Sequence, residues 1–445
     1  MSHPVVFIGA GPIGLAGAAH AQSRGLGTIV LEAGDSAAAA IREWGHIRLF
    51  SPWSELVDPV AGTLLDRTGW IAPMDTAYPT GEEWATGYLQ PLADALDKTD
   101  EVDVRYGHRV VGVTRFGRDR LVDAGRDEEP LVLQVQTERG IERITASAVV
   151  DASGTWGGPN PLGGDGLPAL GETEHADRIS YRVPDLRSEQ GRTRYAGKHT
   201  VVAGTGASAQ NALVELAHLA ETAPGTKVSW LVRRPTVGNA FGGGDNDQLE
   251  ARGELGKSAE RAAGSGAVTP VTSFRTASVE QQEDGRLIVT DFGGKTVTDV
   301  DEIIAVTGFR PELGHLSEIR LDLDPILQSP RTLAPLIDPN IHSCGTVYPH
   351  GAKELAQPEP GFYLVGMKSY GRAPSFLTLT GCEQVRSVIA AIAGDHEAAD
   401  RVELVLPDTG VCGGAGTFDE ADSDGGCCTP AAEVLTIGSA PLTLA

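Results

Sequence analysis

Positive charge is scarce in this chain. Lys and Arg number 36 against 60 Asp and Glu, a net −24, which repels phosphate backbones and anionic bilayer surfaces. Neither nucleic acid nor membrane is expected as a partner. Long apolar runs are missing as well: the stretches 5–15 and 385–392 fall short of the roughly 20 residues that a bilayer span needs, and no basic region precedes the first of them. A cytoplasmic protein without a signal peptide is expected. Cysteine is sparse, five in 445 residues, and the odd number argues against a disulfide framework. Aromatic residues make up only 5% of the chain, so the early group Trp44, Phe50, Trp53, Trp70 and Trp84 stands out; core packing is its expected role.

What is present is a repeated pattern. Val5-Val6-Phe7-Ile8 reads as a short buried strand running into Gly9-Ala10-Gly11-Pro12-Ile13-Gly14 and an Ala-rich helix to about Arg24, followed by a second strand, Thr28-Ile29-Val30-Leu31, that ends at Glu32. The pattern recurs at 199–202, Gly204-Thr205-Gly206-Ala207-Ser208-Ala209-Gln210, a helix over 210–220, and Val228-Ser229-Trp230-Leu231-Val232. Two such strand–helix–strand openings imply two nucleotide-type domains. Strands are also expected over 110–113, 131–135, 144–150 and 361–366, with a helix over 381–393. The breaker-rich 157–161 reads as a crossover, the Gly-rich 238–266 as a mobile surface excursion or lid, and the chain after Asp395 as a loosely ordered tail.

The chemistry follows from the glycines. A dinucleotide site needs backbone N–H groups aimed at a pyrophosphate, a tight turn, close phosphate approach and close helix–strand packing; Gly9, Gly11 and Gly14 suit these roles, and Glu32 stands where an acid accepts from an adenosine ribose. In the second turn Ala209 takes the last small position, and the strand ends in Arg233-Arg234 instead of an acid, which suits a 2′-phosphate and favours NADPH over NADH.

With both fingerprints in place, the chain resembles two-dinucleotide-binding-domain flavoproteins, particularly the flavin-containing monooxygenase-like branch. Further shared features are Tyr78-Pro79-Thr80, Asp151-Ala152-Ser153-Gly154-Thr155-Trp156 and Ala305-Val306-Thr307-Gly308-Phe309-Arg310-Pro311, the last two resembling the segments where chain passes between the FAD and NADPH domains. The resemblance implies an α/β fold with two Rossmann-like domains, the second inserted in the first. Its expected divisions are an FAD-binding first segment over 1–165, an NADPH-binding domain over 166–330, a second FAD segment over 331–400 and a tail over 401–445. It places the FAD adenosine diphosphate on Gly9, Ala10, Gly11, Pro12, Ile13, Gly14 and Glu32, with Val110 near the adenine. Ser153 belongs to the first crossover segment, and Gly366 to the stretch 366–372 that passes the flavin ring and ribityl chain. Gly204, Thr205, Gly206, Ala207, Ser208, Ala209 and Gln210 hold the NADPH pyrophosphate, and Thr307 belongs to the second crossover.

The match to the monooxygenase linker fingerprint is degenerate: Gly171 and His175 keep the spacing, but Ala169 and Ile179 stand where aromatics are expected. No Cys-x-x-Cys or Cys-x4-Cys occurs and no cysteine precedes Cys344, which argues against a dithiol reductase mechanism. Cys344 and Cys382 read as buried cysteines. In the tail, Cys412, Cys427 and Cys428 are candidate ligands for a metalloid such as arsenite or another thiophilic ion, against the alternative of incidental thiols, and the whole chain is similar to flavoproteins encoded with arsenic-resistance genes. Three activities stay open: NADPH-driven transfer of oxygen from O2 to a small soft nucleophile, reduction of a metalloid or quinone without oxygen insertion, and thiol-based sensing.

Overall fold

The computed structural model describes residues 3–247, 249–340, 349–374 and 376–404. Its strands are β1 (Val5–Ile8), β2 (Thr28–Leu31), β3 (Val102–Arg105), β4 (Arg109–Arg115), β5 (Leu131–Thr137), β6 (Gly140–Ala146) and β7 (Ala148–Asp151). There follow β8 (Ile179–Ser180), β9 (His199–Ala203), β10 (Lys227–Leu231), β11 (Val268–Val271), β12 (Thr276–Gln281), β13 (Leu287–Asp291), β14 (Thr296–Val300), β15 (Glu302–Ala305) and β16 (Phe362–Leu364).

Two five-stranded parallel sheets share one plan. The first runs β16-β7-β1-β2-β3, the second β11-β10-β9-β15-β8, each with its opening strand in the middle. β1 is apolar and wholly buried, and β9 is buried from Thr200 onward with an apolar Val201-Val202-Ala203 end, as strands covered by helices on both faces must be. In each unit a helix follows the opening strand, Pro12–Ser23 or Ala207–Thr222, and a three-stranded antiparallel sheet (β4-β5-β6 or β12-β13-β14) precedes the return strand. The second sheet is built wholly from chain between β7 and β16, so the fold is α/β with two Rossmann-like units, the second inserted in the first. The first unit's core packs the Pro12–Ser23 and Thr378–Ile392 helices around Phe7, Leu15, Val150 and Val385.

Several segments differ from expectation. The stretch 238–266 forms short turns followed by a 15-residue helix, Glu250–Gly264, whose buried Gly253, Gly256, Ala259 and Ala262 recur every third residue. A Cβ on Gly256 would stand 1.9 Å from the Phe241 carbonyl oxygen, so these small residues make a close-packed seam, which rules out the reading as an open lid. The strand expected at 144–150 breaks at Ser147 into β6 and β7, and β12 to β14 carry too many polar residues to have been read as strands. Past Asp395, which caps it, a further short helix runs His396–Asp400.

A buried ion cluster ties the β4-β5-β6 sheet to the segment just before β16. Glu359 accepts from Arg115 Nε at 2.7 Å, from Arg126 Nη2 at 2.8 Å and from the Arg320 N–H at 3.2 Å. Glu359 and both arginines are almost wholly out of water. No helix among the described residues is long and apolar enough to cross a membrane.

Candidate functional site

The first glycine turn joins β1 to the Pro12–Ser23 helix. Gly9 has φ +101°, and a Cβ there would lie 3.1 Å from both the Ala152 carbonyl oxygen and Ser153 Cα; a Cβ on Gly14 would fall 2.0 Å from the Gly9 carbonyl oxygen. Gly11 differs: nothing lies within 4 Å of its would-be Cβ. Two glycines therefore seat the helix on the strand, and the third leaves open space at a helix N-terminus, where unpaired N–H groups favour a phosphate. Pro12 takes the first helical position, where its missing N–H costs nothing; Ile13 is buried. Glu32, ending β2, accepts from the Ala10 N–H and the Gly34 N–H, each at 2.8 Å, so its carboxylate is fixed against the turn. The His108 N–H donates to the Glu32 carbonyl at 2.8 Å, which sets Val110 on β4 close to that end of the site.

The second turn repeats the first. A Cβ on Gly204, at φ +128°, would meet the Val306 carbonyl oxygen at 2.3 Å, Gly206 is open, and Ala209 is fully buried in the helix seat. Thr205 and Ala207 are half-buried and Ser208 exposed. Gln210 is buried, its Nε2 donating to the Ala240 carbonyl at 2.7 Å while its Oε1 has no partner. Arg233 and Arg234 stand just past β10, exposed and half-buried respectively.

The two units meet through paired crossovers. Pro159 and Phe309 form an antiparallel bridge, the Asn160 N–H donates to the Gly308 carbonyl at 2.9 Å and the Arg310 N–H to the Gly158 carbonyl at 2.8 Å. The Thr307 hydroxyl donates toward the Asn160 and Pro161 carbonyls at 3.2 and 3.1 Å. Trp156 stacks on Phe309 with ring centroids 5.0 Å apart, and the Arg182 guanidinium lies 4.6 Å over Trp156. Gly171 is held beside β12, with the Val279 N–H donating to the Leu170 carbonyl at 2.7 Å; His175 closes the following turn onto the Gly171 carbonyl and is half-buried.

The profile of the pyridine nucleotide-disulphide oxidoreductase family matches residues 6–343. The chain belongs to this family. Similar solved structures include the bacillithiol disulfide reductase of Bacillus cereus, with a TM-score of 0.64 at 19% identity over 88% of this chain and 99% of that one. A cadaverine monooxygenase of desferrioxamine biosynthesis from Erwinia amylovora, bound to FAD, scores 0.60 at 12% identity, covering 92% and 99%. A mutant flavin monooxygenase from Stenotrophomonas maltophilia scores 0.55 at 21%, covering 89% and 98%. No curated protein sequence matches. As a member of the family this protein is an FAD-dependent oxidoreductase that uses a pyridine nucleotide, and in each of its two turns the middle glycine, Gly11 or Gly206, leaves open space at a helix N-terminus.

In this oxidoreductase a buried polar cluster joins the ends of β7 and β16, pairing two segments that the sequence singled out separately without bringing them together. Asp151 receives Lys368 Nζ and His315 Nε2 on one oxygen, both at 2.9 Å, and the Ser153 N–H and hydroxyl on the other at 3.0 and 2.6 Å. Burial alone would raise its pKa, but the Lys368 charge, the contacts of His315 and the Ser153 bond outweigh it and hold the carboxyl well below the usual carboxylate range. Gly366 starts the turn carrying Lys368, its N–H donating to Gln384 Oε1 at 2.7 Å.

Cys382, the one cysteine among the described residues, has its thiol pushed well up, by burial first and the Asp58 carboxylate second, so it stays protonated and inert. Cys344, Cys412, Cys427 and Cys428 lie outside the described residues. The early tryptophans serve packing: Trp84 and Trp53 are buried, and Trp70 Nε1 donates to the Gly87 carbonyl at 2.8 Å. Trp53 also borders an open cavity of about 440 Å³ with Arg48, Tyr78, Pro79, Glu83 and Thr86, and a cleft of about 130 Å³ separates His46 and Thr80 of the first unit from Arg187 and Glu215 of the second.

Proposed function

We propose that this oxidoreductase is a cytoplasmic NADPH-oxidising monooxygenase, passing one atom of O2 to a small soft nucleophile such as a sulfur or nitrogen centre. The balance is closed: NADPH and the substrate each supply two electrons, one oxygen enters product and the other leaves as water. FAD relays the electrons; the chain's residues bind, orient and exclude water. The observation that carries this reading is the thiol inventory. The sequence holds no Cys-x-x-Cys or Cys-x4-Cys pair and no cysteine before Cys344, and among the described residues Cys382 is protonated and without a thiol partner, which favours electrons leaving to a diffusible acceptor over a dithiol relay of that spacing.

The test is anaerobic reduction of the FAD-loaded protein by NADPH, then mixing with labelled O2 in the presence of candidate nucleophiles and, separately, arsenite. Label in the product, matched to NADPH consumed, is the expected result. NADPH consumption matched by reduction of an added quinone or metalloid without label would replace oxygen transfer with the reductase reading. A link to arsenic resistance, with Cys412, Cys427 and Cys428 as the arsenite ligands, belongs to this proposal through the tail sequence alone; arsenite affinity that survives their change to serine removes it.

Arg233 and Arg234 are assigned to the 2′-phosphate. Replacing both with serine should raise KM for NADPH by about ten- to hundredfold, the worth of charged hydrogen bonds, and leave KM for NADH nearly unchanged. Equal losses with both nucleotides would reject the assignment.

A further inference from the structure

In the first sheet β16, β7 and β1 lie side by side and parallel, so their C-terminal ends open on one edge. From β1 the chain continues to β2 on one side, while β7 and β16 lie on the other; the crevice at such a reversal is where open α/β sheets take their ligands. Glu32 at the end of β2 and the Gly11 turn after β1 set the adenosine and diphosphate of FAD on the β2 side. The rest of the cofactor therefore extends toward β7 and β16.

Lys368 stands there. Its side chain is 1% exposed, and Nζ donates to Asp151 Oδ2 at 2.9 Å and to Ser153 Oγ at 2.6 Å. Ser153 is exposed, and its Cα packs 3.1 Å from the would-be Cβ of Gly9, so the lysine is one side chain away from the diphosphate turn. An ammonium carries three N–H donors. Two are used, both Asp151 oxygens are already occupied by Ser153, Lys368 and His315, and among the described residues the third donor has no acceptor. A buried donor left unmade is costly, which points to a ligand atom.

We propose that Lys368 is a FAD-contacting residue whose third N–H donates to an acceptor on the flavin half of the cofactor, with Asp151, Ser153 and His315 as its positioning residues. This rests on the assignment of FAD to the first turn.

The test uses the full-length holoenzyme of wild type, Lys368→Met and the double variant Asp151→Asn/Lys368→Met, which removes both partners of the buried pair so that no carboxylate loses its counter-charge. Kd for FAD is read from flavin fluorescence on dilution, affinity for ADP from its displacement of FAD, and the flavin midpoint potential from equilibrium reduction. Loss of Lys368 should weaken FAD by about ten- to hundredfold, the worth of a hydrogen bond to a charged group, with ADP affinity unchanged in the variant that melts like wild type. A midpoint potential shifted to more negative values assigns the acceptor to the ring, because the reduced ring carries a negative charge that a nearby cation stabilises; an unshifted potential assigns it to the ribityl chain. FAD affinity equal to wild type, or FAD and ADP weakened alike, would overturn the proposal. Wild-type protein that fails to bind FAD would instead sink the assignment beneath it.

Discussion

Glu359→Gln should lower the unfolding free energy by about 3–5 kcal/mol, the usual result of taking one partner from a buried ion pair. The variant fills the same volume, but it leaves Arg115 and Arg126 charged and away from water, with Arg126 Nε already lacking a partner. A shift in the urea midpoint at constant slope is the readout; a change below about 1 kcal/mol, the range of surface pairs, would show that water reaches the cluster. The pH dependence has a fixed sign. Burial would raise the Glu359 pKa, but the bonds from Arg115, Arg126 and the Arg320 N–H outweigh it and leave it lowered. A carboxylate lowered in the folded state contributes stability that is present above its unfolded pKa of about 4.3 and is lost as pH falls through the folded value. Wild type should therefore lose stability on acidification more steeply than Glu359→Gln.

The second large effect is loss of flavin from Gly14→Ala. The new methyl group, fixed directly to the helix backbone, would lie 2.0 Å from the Gly9 backbone carbonyl oxygen, so the helix must move off β1. Overpacking of this kind costs about 1–3 kcal/mol, equivalent to roughly a ten- to hundredfold loss of FAD affinity if it falls on the bound state. Flavin absorbance per protein reads it out. The second turn supplies the contrast: alanine already occupies the matching position, Ala209, fully buried. Retention of full flavin by Gly14→Ala would mean that the helix seat is not what shapes the phosphate site.

The two dinucleotide turns were legible because their signals are local: an apolar run, three small residues at fixed spacing and a charged residue at the next strand end fall within about 30 residues. The antiparallel strands β12 to β14 were not, since Thr276–Gln281 and Thr296–Val300 alternate weakly and carry polar residues on faces that only the assembled fold covers. The Glu250–Gly264 helix was read as a loose excursion because glycine and alanine signal flexibility when their packing partners are unknown; its seam becomes visible only against Phe241 and Gly244. Lys368 and Asp151 are separated by 217 positions and Arg115 and Glu359 by 244, so no window of sequence could pair them.

The insertion of one unit inside the other also sets the order in which a ribosome can deliver the site. Roughly 350 residues separate the Gly9 turn from β16, so at 5–20 residues per second the first sheet waits on the order of tens of seconds for its edge strand. Lys368 and the Thr378–Ile392 helix arrive later still. All strands of the second sheet, by contrast, come from one continuous stretch and can pair while synthesis continues. With FAD in the first turn as proposed, flavin loading is a late event in the birth of this enzyme, and the half-built first unit, with β7 exposed as a bare edge, is a nascent state open to mispairing.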